Sequence, residues 1–356
     1  MGNTIDYIKE YGMHTFSEAE FNPVDSLVLC QIAYMKFDRM AGGLTDKHPD
    51  IRLMDLATHP DLSELCRVEM YEEEYVAFYE ALRHSRRFRN LRMNFYENNV
   101  DEEKETQFSA ITFFLDDNTA YAAFRGTDET LVGWKEDFNM AFMYPVPMQE
   151  KALRYFMEVS RVFKGMFYLG GHSKGGNAAV YAAVNSPPLL QDRIKNIYCF
   201  DGPGFMDDIY RTIGYIHISH KIIKIVPESS LIGMLLQNRA NYKVVKSTGR
   251  GILQHDAFTW VIENGLFSYR DEIYKTSIYH NKNLNGWIEA LSEEERHKFV
   301  DSLFQIIKAT EASTLPDLAI DPHKKAVTIL EAIINMDDDT REFMRQVIGM
   351  LFLKKH

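Results

Sequence analysis

The residues best placed to do chemistry lie in Gly171-His172-Ser173-Lys174-Gly175-Gly176. A short apolar run, Met166-Phe167-Tyr168-Leu169, precedes them, and an alanine-rich stretch, Asn177 to Val184, follows. This reads as strand, tight turn, helix, with G-x-S-x-G across the turn. Such a turn lifts a serine hydroxyl out of a sheet, and the flanking glycines let the backbone bend and pack closely. The helix that starts there points its free amides toward the serine, where an oxyanion would form. The chemistry these residues suit is nucleophilic acyl transfer through Ser173. The spacing fits neither a P-loop nor a dinucleotide fingerprint.

A serine hydroxyl is a poor nucleophile until a base takes its proton, and the base needs an orienting acid. With this elbow the sequence order is serine, acid, histidine. Among the downstream histidines, His255 is best placed, after the last strand-like run and the loop Ser247-Thr248-Gly249-Arg250-Gly251. His217 and His220 precede a strand and read as structural, and His172 reads as a packing residue below the turn. Two acids are candidates. Asp201 ends a strand in Phe200-Asp201-Gly202-Pro203-Gly204, where it could instead cap the turn or pair with Lys174. Glu228 lies in Pro227-Glu228-Ser229-Ser230-Leu231. Asp256, next to His255, would face away.

These side chains need a sheet to hold them. Strands are expected at 166–170, 194–200, 221–226 and 242–246, with a helix at 175–185. Alternating units of this kind imply a largely parallel sheet covered by helices, an α/β fold. Ahead of them, 108–115 and 120–124 form a hairpin around Asp116-Asp117-Asn118-Thr119, and 149–163 is an amphipathic helix. Residues 1–90 read as mostly helical, with helices in 24–37 and 72–87. Arg83-His84-Ser85-Arg86-Arg87 reads as a solvated helix end rather than a basic patch. From 270 the pattern is helical again: Ser292 with Glu295 makes a capping box for 293–309, and helices follow at 323–335 and 339–353. The division expected is 1–269 for the catalytic domain and 270–356 for a helical extension, either a cap or a partner-binding appendage.

A polypeptide of 356 residues with 46% hydrophobic content has enough apolar material to fill a sizeable core. A net charge of −11 argues against nucleic acid as a partner and gives no global attraction to anionic membranes. Three scattered cysteines suit a reducing compartment and give no metal-ligand spacing. The N-terminus lacks a basic n-region and an apolar core, and no run of 18 apolar residues occurs. A cytoplasmic protein without metal or cofactor is the expectation, with transient contact at a membrane surface left open.

Upstream of the elbow stands Tyr121-Ala122-Ala123-Phe124-Arg125-Gly126-Thr127, followed by Trp134, Asp137 and Phe138. Together with Gly-His-Ser-x-Gly-Gly this resembles the class 3 lipases over roughly 90–265. It looks closest to a bacterial group of lipase-like α/β-hydrolases of unknown function, which carry Gly-His-Ser-Lys-Gly-Gly-Asn, Phe-Asp-Gly-Pro-Gly-Phe and Gln-His-Asp, here 171–177, 200–205 and 254–256. The resemblance implies an α/β-hydrolase fold with Ser173 as nucleophile and His255 as base. It implies an oxyanion hole from Thr127, by amide and hydroxyl, and from the Lys174 amide. It makes 129–140, with Trp134 and Phe138, a lid or pocket wall. The class 3 acid position is filled here by Ser229 or Ser230, which turns attention to Asp201, the strand-end acid position of pancreatic-type lipases. Lys174 replaces the usual Leu or Met, and a salt bridge to a nearby carboxylate is its expected role. Residues 138–144 and 234–236 could line an acyl pocket or fill the core. The activity implied is hydrolysis of carboxylic esters, with thioesterase or acyltransferase chemistry open to the same site. The displaced acid keeps a non-catalytic, protein-binding role as the alternative.

Overall fold

The computed structural model describes residues 2–38, 40, 50–68, 71–128, 130–237, 240–310 and 341. The helices expected at 323–335 and 339–353 lie outside the described residues, Arg341 apart. The N-terminal part holds α1 (Thr4–Tyr11), α2 (Pro23–Ile32), the two-residue strand β1 (Ile51–Arg52), α3 (Leu62–Leu65) and α4 (Glu72–His84). Then come β2 (Arg92–Asp101), β3 (Thr106–Phe114), β4 (Thr119–Phe124), α5 (Leu131–Asn139), α6 (Pro147–Val162), β5 (Met166–His172), α7 (Lys174–Val184), α8 (Pro188–Gln191) and β6 (Ile194–Phe200). The rest is α9 (Ile213–Ile218), β7 (Ile222–Pro227), β8 (Tyr242–Val245), β9 (Ile262–Glu263), β10 (Leu266–Phe267), β11 (Tyr269–Arg270), α10 (Lys275–Ala290) and α11 (Glu293–Ala309).

Among the described residues, nine strands form one sheet in the order β1-β2-β3-β4-β5-β6-β7-β8-β11. Strands β4 to β8 are parallel, as the alternating pattern implies. Both flanks are antiparallel, so the α/β sheet is mixed and its parallel part is confined to the centre. The reason is connectivity. β3 turns straight into β4 through Asp116–Thr119, where Leu115 N–H donates to the Thr119 carbonyl, and a hairpin leaves no room for the crossover that parallel strands need.

Alternation along the strands sends successive side chains to opposite faces. On β4, Tyr121 and Ala123 join a core with α1, α2 and α4, while Ala120, Ala122 and Phe124 join a second with α6 and α7. Helix α2 is buried from Val24 to Ile32, which its apolar run requires. It starts on a capping box of Asn22 with Asp25. Arg87, expected in a solvated run, is instead buried. It grips Asp25 by two bonds of 2.7 and 2.5 Å and takes the carbonyls of His14, Thr15, Ala19 and Glu20. A guanidinium has enough donors in its fork to staple an irregular segment in this way, and the carboxylate balances its charge.

Helices α10 and α11 pack back on elements that flank the sheet. The capping box of α11 forms as expected, Ser292 N–H donating to Glu295 Oε2 at 2.7 Å and Glu295 N–H to Ser292 Oγ at 3.3 Å. α11 lies on α5, with Phe138 against Phe304 and Lys135 bonded to Asp301. α10 holds the loop after β7 through Asn281 to the Ser230 carbonyl and Asn285 to the Met234 carbonyl.

Candidate active site

Ser173 stands between β5 and α7 at φ 59°, ψ −134°. This left-handed geometry is costly for a residue with a Cβ and is held by the strand and helix on either side. Ser173 N–H donates to the Phe200 carbonyl at 2.8 Å, and Gly176 N–H donates to the Ser173 carbonyl at 2.9 Å. The glycines are required by close approach. A Cβ on Gly171 would fall 2.1 Å from the Gly175 carbonyl carbon, and one on Gly175 would fall 2.1 Å from the Phe124 carbonyl oxygen. Phe124 ends the strand that leads to Thr127, so the same packing brings the Arg-Gly-Thr segment to the serine. A Cβ on Gly126 would lie 3.0 Å from that of Ser173.

Asp201 follows β6 and is also left-handed, at φ 47°. It is fully buried. One carboxylate oxygen lies 2.6 Å from His255 Nδ1, and the other accepts from Ser230 Oγ at 2.5 Å. Ser230, in the loop where the class 3 resemblance places an acid, thus donates to Asp201 at the end of the neighbouring strand. Gln254 positions the turn beside it, accepting from Ser229 N–H at 2.7 Å, while its own carbonyl accepts from Trp260 Nε1 at 2.8 Å. Glu228 is turned elsewhere: it pairs with Arg270 and accepts from Tyr274 Oη at 3.1 Å. Asp256 caps the next turn through Phe258 N–H at 2.9 Å. The structure therefore brings Ser173, Asp201, His255 and Thr127 to one edge of the sheet and leaves Glu228 engaged apart from His255.

Lys174 points its side chain inward, completely buried, with Nζ 3.0 Å from Glu136 Oε2 and 3.3 Å from the Gly133 carbonyl. Glu136, on α5, also accepts from Gln107 N–H at 3.0 Å and Met148 N–H at 2.8 Å. The salt bridge expected of Lys174 is present, and its partner belongs to the segment expected as a lid. Moving Glu136 would strand a buried lysine, and losing one partner of a buried pair costs about 3–5 kcal/mol. α5 is therefore anchored at its centre. Trp134 is half-buried on it, and Phe138 is packed under Phe304 of α11.

The Thr127 hydroxyl donates to Asp137 Oδ2. Burial raises the Asp137 carboxyl from its ordinary 3.8 to about 6, against the pull of Lys174 and of the Thr127 hydrogen bond. A carboxyl raised in this way contributes stability that is fully present below its unfolded value and lost as pH rises through about 6. Relative to Asp137→Asn, the wild type should lose about 2 kcal/mol between pH 4 and 7 in denaturant unfolding. A pH-independent difference would contradict this assignment. From the sequence, Asp137 stood in the motif that carries the resemblance without a role of its own, and Glu136 was not singled out. The available signal was an adjacent acidic pair on a short helix beside the Arg-Gly-Thr segment. Among the described residues, no cluster of three or more His, Cys, Asp or Glu side chains could hold a metal ion, and no helix is long and apolar enough to cross a membrane.

The fold is α/β, a mixed sheet that carries a serine on a strained strand-to-helix turn. The protein belongs to the Mbeg1-like family, whose model matches residues 82–305. No curated protein matches it. Similar solved structures include M37 lipase, at 12% identity over 67% of this chain and 79% of that one with a TM-score of 0.39. The Rhizomucor miehei lipase propeptide complex matches at 15% identity, 48% and 59% coverage and a TM-score of 0.34. Extracellular lipase LipA from Serratia marcescens matches at 15%, 67% and 40% coverage and 0.29. These scores are all below 0.5.

Proposed function

We propose that the protein is a serine hydrolase of carboxylic esters, built on an α/β-hydrolase core with α10 and α11 as a cap. The observation that carries this reading is the 2.6 Å contact of His255 Nδ1 with buried Asp201, just past the end of the strand next to the one that presents Ser173. A carboxylate on Nδ1 holds that nitrogen as a donor and leaves Nε2 as the base. In the proposed reaction His255 takes the Ser173 proton as Oγ attacks the ester carbonyl. The amides of Thr127 and Lys174 hold the oxyanion, His255 returns the proton to the leaving alkoxide, and water then releases the acyl group by the same steps. The Thr127 hydroxyl, held by Asp137, fixes the side chain and leaves its amide for the oxyanion.

We further read Trp134 and Phe138 as a wall over the site rather than a freely swinging lid, because Glu136 ties α5 to the core. The substrate is read as a small or lipid ester. A panel of p-nitrophenyl esters from acetate to palmitate tests the proposal. The expected result is turnover with a burst of nitrophenol stoichiometric with enzyme, the sign of an acyl-enzyme. Absence of turnover across the whole panel would count against it.

A further inference from the structure

The residue before the nucleophile does more than fill space. His172 ends β5, and its ring is buried. Nε2 lies 2.8 Å from the backbone carbonyl oxygen of His255, and Nδ1 lies 3.2 Å from the hydroxyl of Tyr34, just past the end of α2. The two imidazole rings are 4.6 Å apart at 34°, and the Trp260 ring meets that of His172 edge-on, centroids 6.3 Å apart.

The direction of each hydrogen bond follows from chemistry. Burial, then the neighbouring His255, push the His172 pKa down to about 3, so the ring is neutral and carries one N–H. A carbonyl oxygen only accepts, so that proton sits on Nε2. Nδ1 is then an acceptor, and the Tyr34 hydroxyl, whose pKa burial drives far up, keeps its proton and donates to it. Both ring nitrogens are thus committed, which removes His172 as a base.

His255 needs such a support. It closes a 3₁₀ turn at Gly251–His255 instead of lying on a strand, and its side chain is partly exposed. The Asp201 contact fixes the ring by one nitrogen, while the backbone beneath it has no sheet ladder. We propose that His172 is a positioning residue for His255: Tyr34 orients His172, and His172 Nε2–H pins the His255 carbonyl, setting the distance from the base to Ser173. This rests on the serine-hydrolase reading above. It also gives the N-terminal part of the protein a role in the reaction, since Tyr34 lies in the turn that follows α2.

The test compares His172→Met, His172→Gln and Tyr34→Phe with the wild type on a p-nitrophenyl ester. Misplacing a catalytic group by about 1 Å costs on the order of 10²-fold in rate. His172→Met should lower kcat by about 10- to 100-fold with KM little changed. Glutamine can place an N–H where Nε2 stood, so His172→Gln should recover most of that loss, and Tyr34→Phe should fall between the wild type and His172→Met. Equal losses in Met and Gln, or a change confined to KM, would overturn the proposal. Should His172→Met not fold, the order wild type, Gln, Phe in kcat still decides. A wild type without turnover overturns the hydrolase reading itself. A turning-over wild type with unaffected His172→Met and Tyr34→Phe overturns only the positioning role.

Discussion

Ser173→Ala should lower ester turnover by about 10⁶-fold in kcat, the loss seen when a serine nucleophile is removed from a site whose parts act as a unit. The substitution removes one oxygen and keeps the Cβ, so the strained φ of 59° is no harder for alanine than for serine. The fold should therefore persist, and the loss should appear as chemistry, not as unfolding. A far-ultraviolet spectrum and melting temperature close to wild type would establish this. Residual activity within about tenfold of wild type would mean that the hydrolysis measured does not pass through Ser173.

Asp201→Asn should cost about 10⁴-fold in kcat, whereas Glu228→Gln should cost no more than a few-fold. The asparagine keeps the size of the side chain and the Ser230 contact at 2.5 Å, but its amide no longer stabilises the imidazolium or fixes the Nδ1–H tautomer. Glu228 pairs with Arg270 and Tyr274, so its neutralisation acts on those two contacts and only weakly on His255. The reverse ranking, with Glu228→Gln the more damaging, would assign the acid to the loop after β7 and would require a different conformation of that loop.

Much of this site could be read from local sequence because its parts lie next to the strand ends that local pattern reveals. The run 166–172, its turn and α7 are specified by an apolar segment, glycines at fixed offsets and alanines that allow close packing. Strand β6 and its terminal Asp201 are visible in the same way. The flanking antiparallel strands are harder. β1 and β11 are two residues long and acquire strand geometry only by pairing with β2 and β8. What escapes local reading altogether is long-range. The partner of Lys174 lies 38 residues earlier on α5, that of Arg87 lies 62 residues earlier on α2, and His172 meets Tyr34 across 138 positions. A charge or imidazole in the sequence shows that a partner is needed once it is buried, and the tertiary fold chooses which. Ser230 illustrates the same limit. A serine, Ser229 or Ser230, in place of the expected acid marks a departure, and only the neighbouring strand shows that Ser230 donates to Asp201.

The most direct test of Ser173 as the nucleophile is covalent. A fluorophosphonate should add to the wild type with one phosphonyl group per molecule, and digestion should place the adduct on Ser173, within Gly171-His172-Ser173-Lys174. Ser173→Ala should remain unmodified. A wild type that stays unlabelled, or an adduct on any other residue that persists in Ser173→Ala, would contradict the assignment.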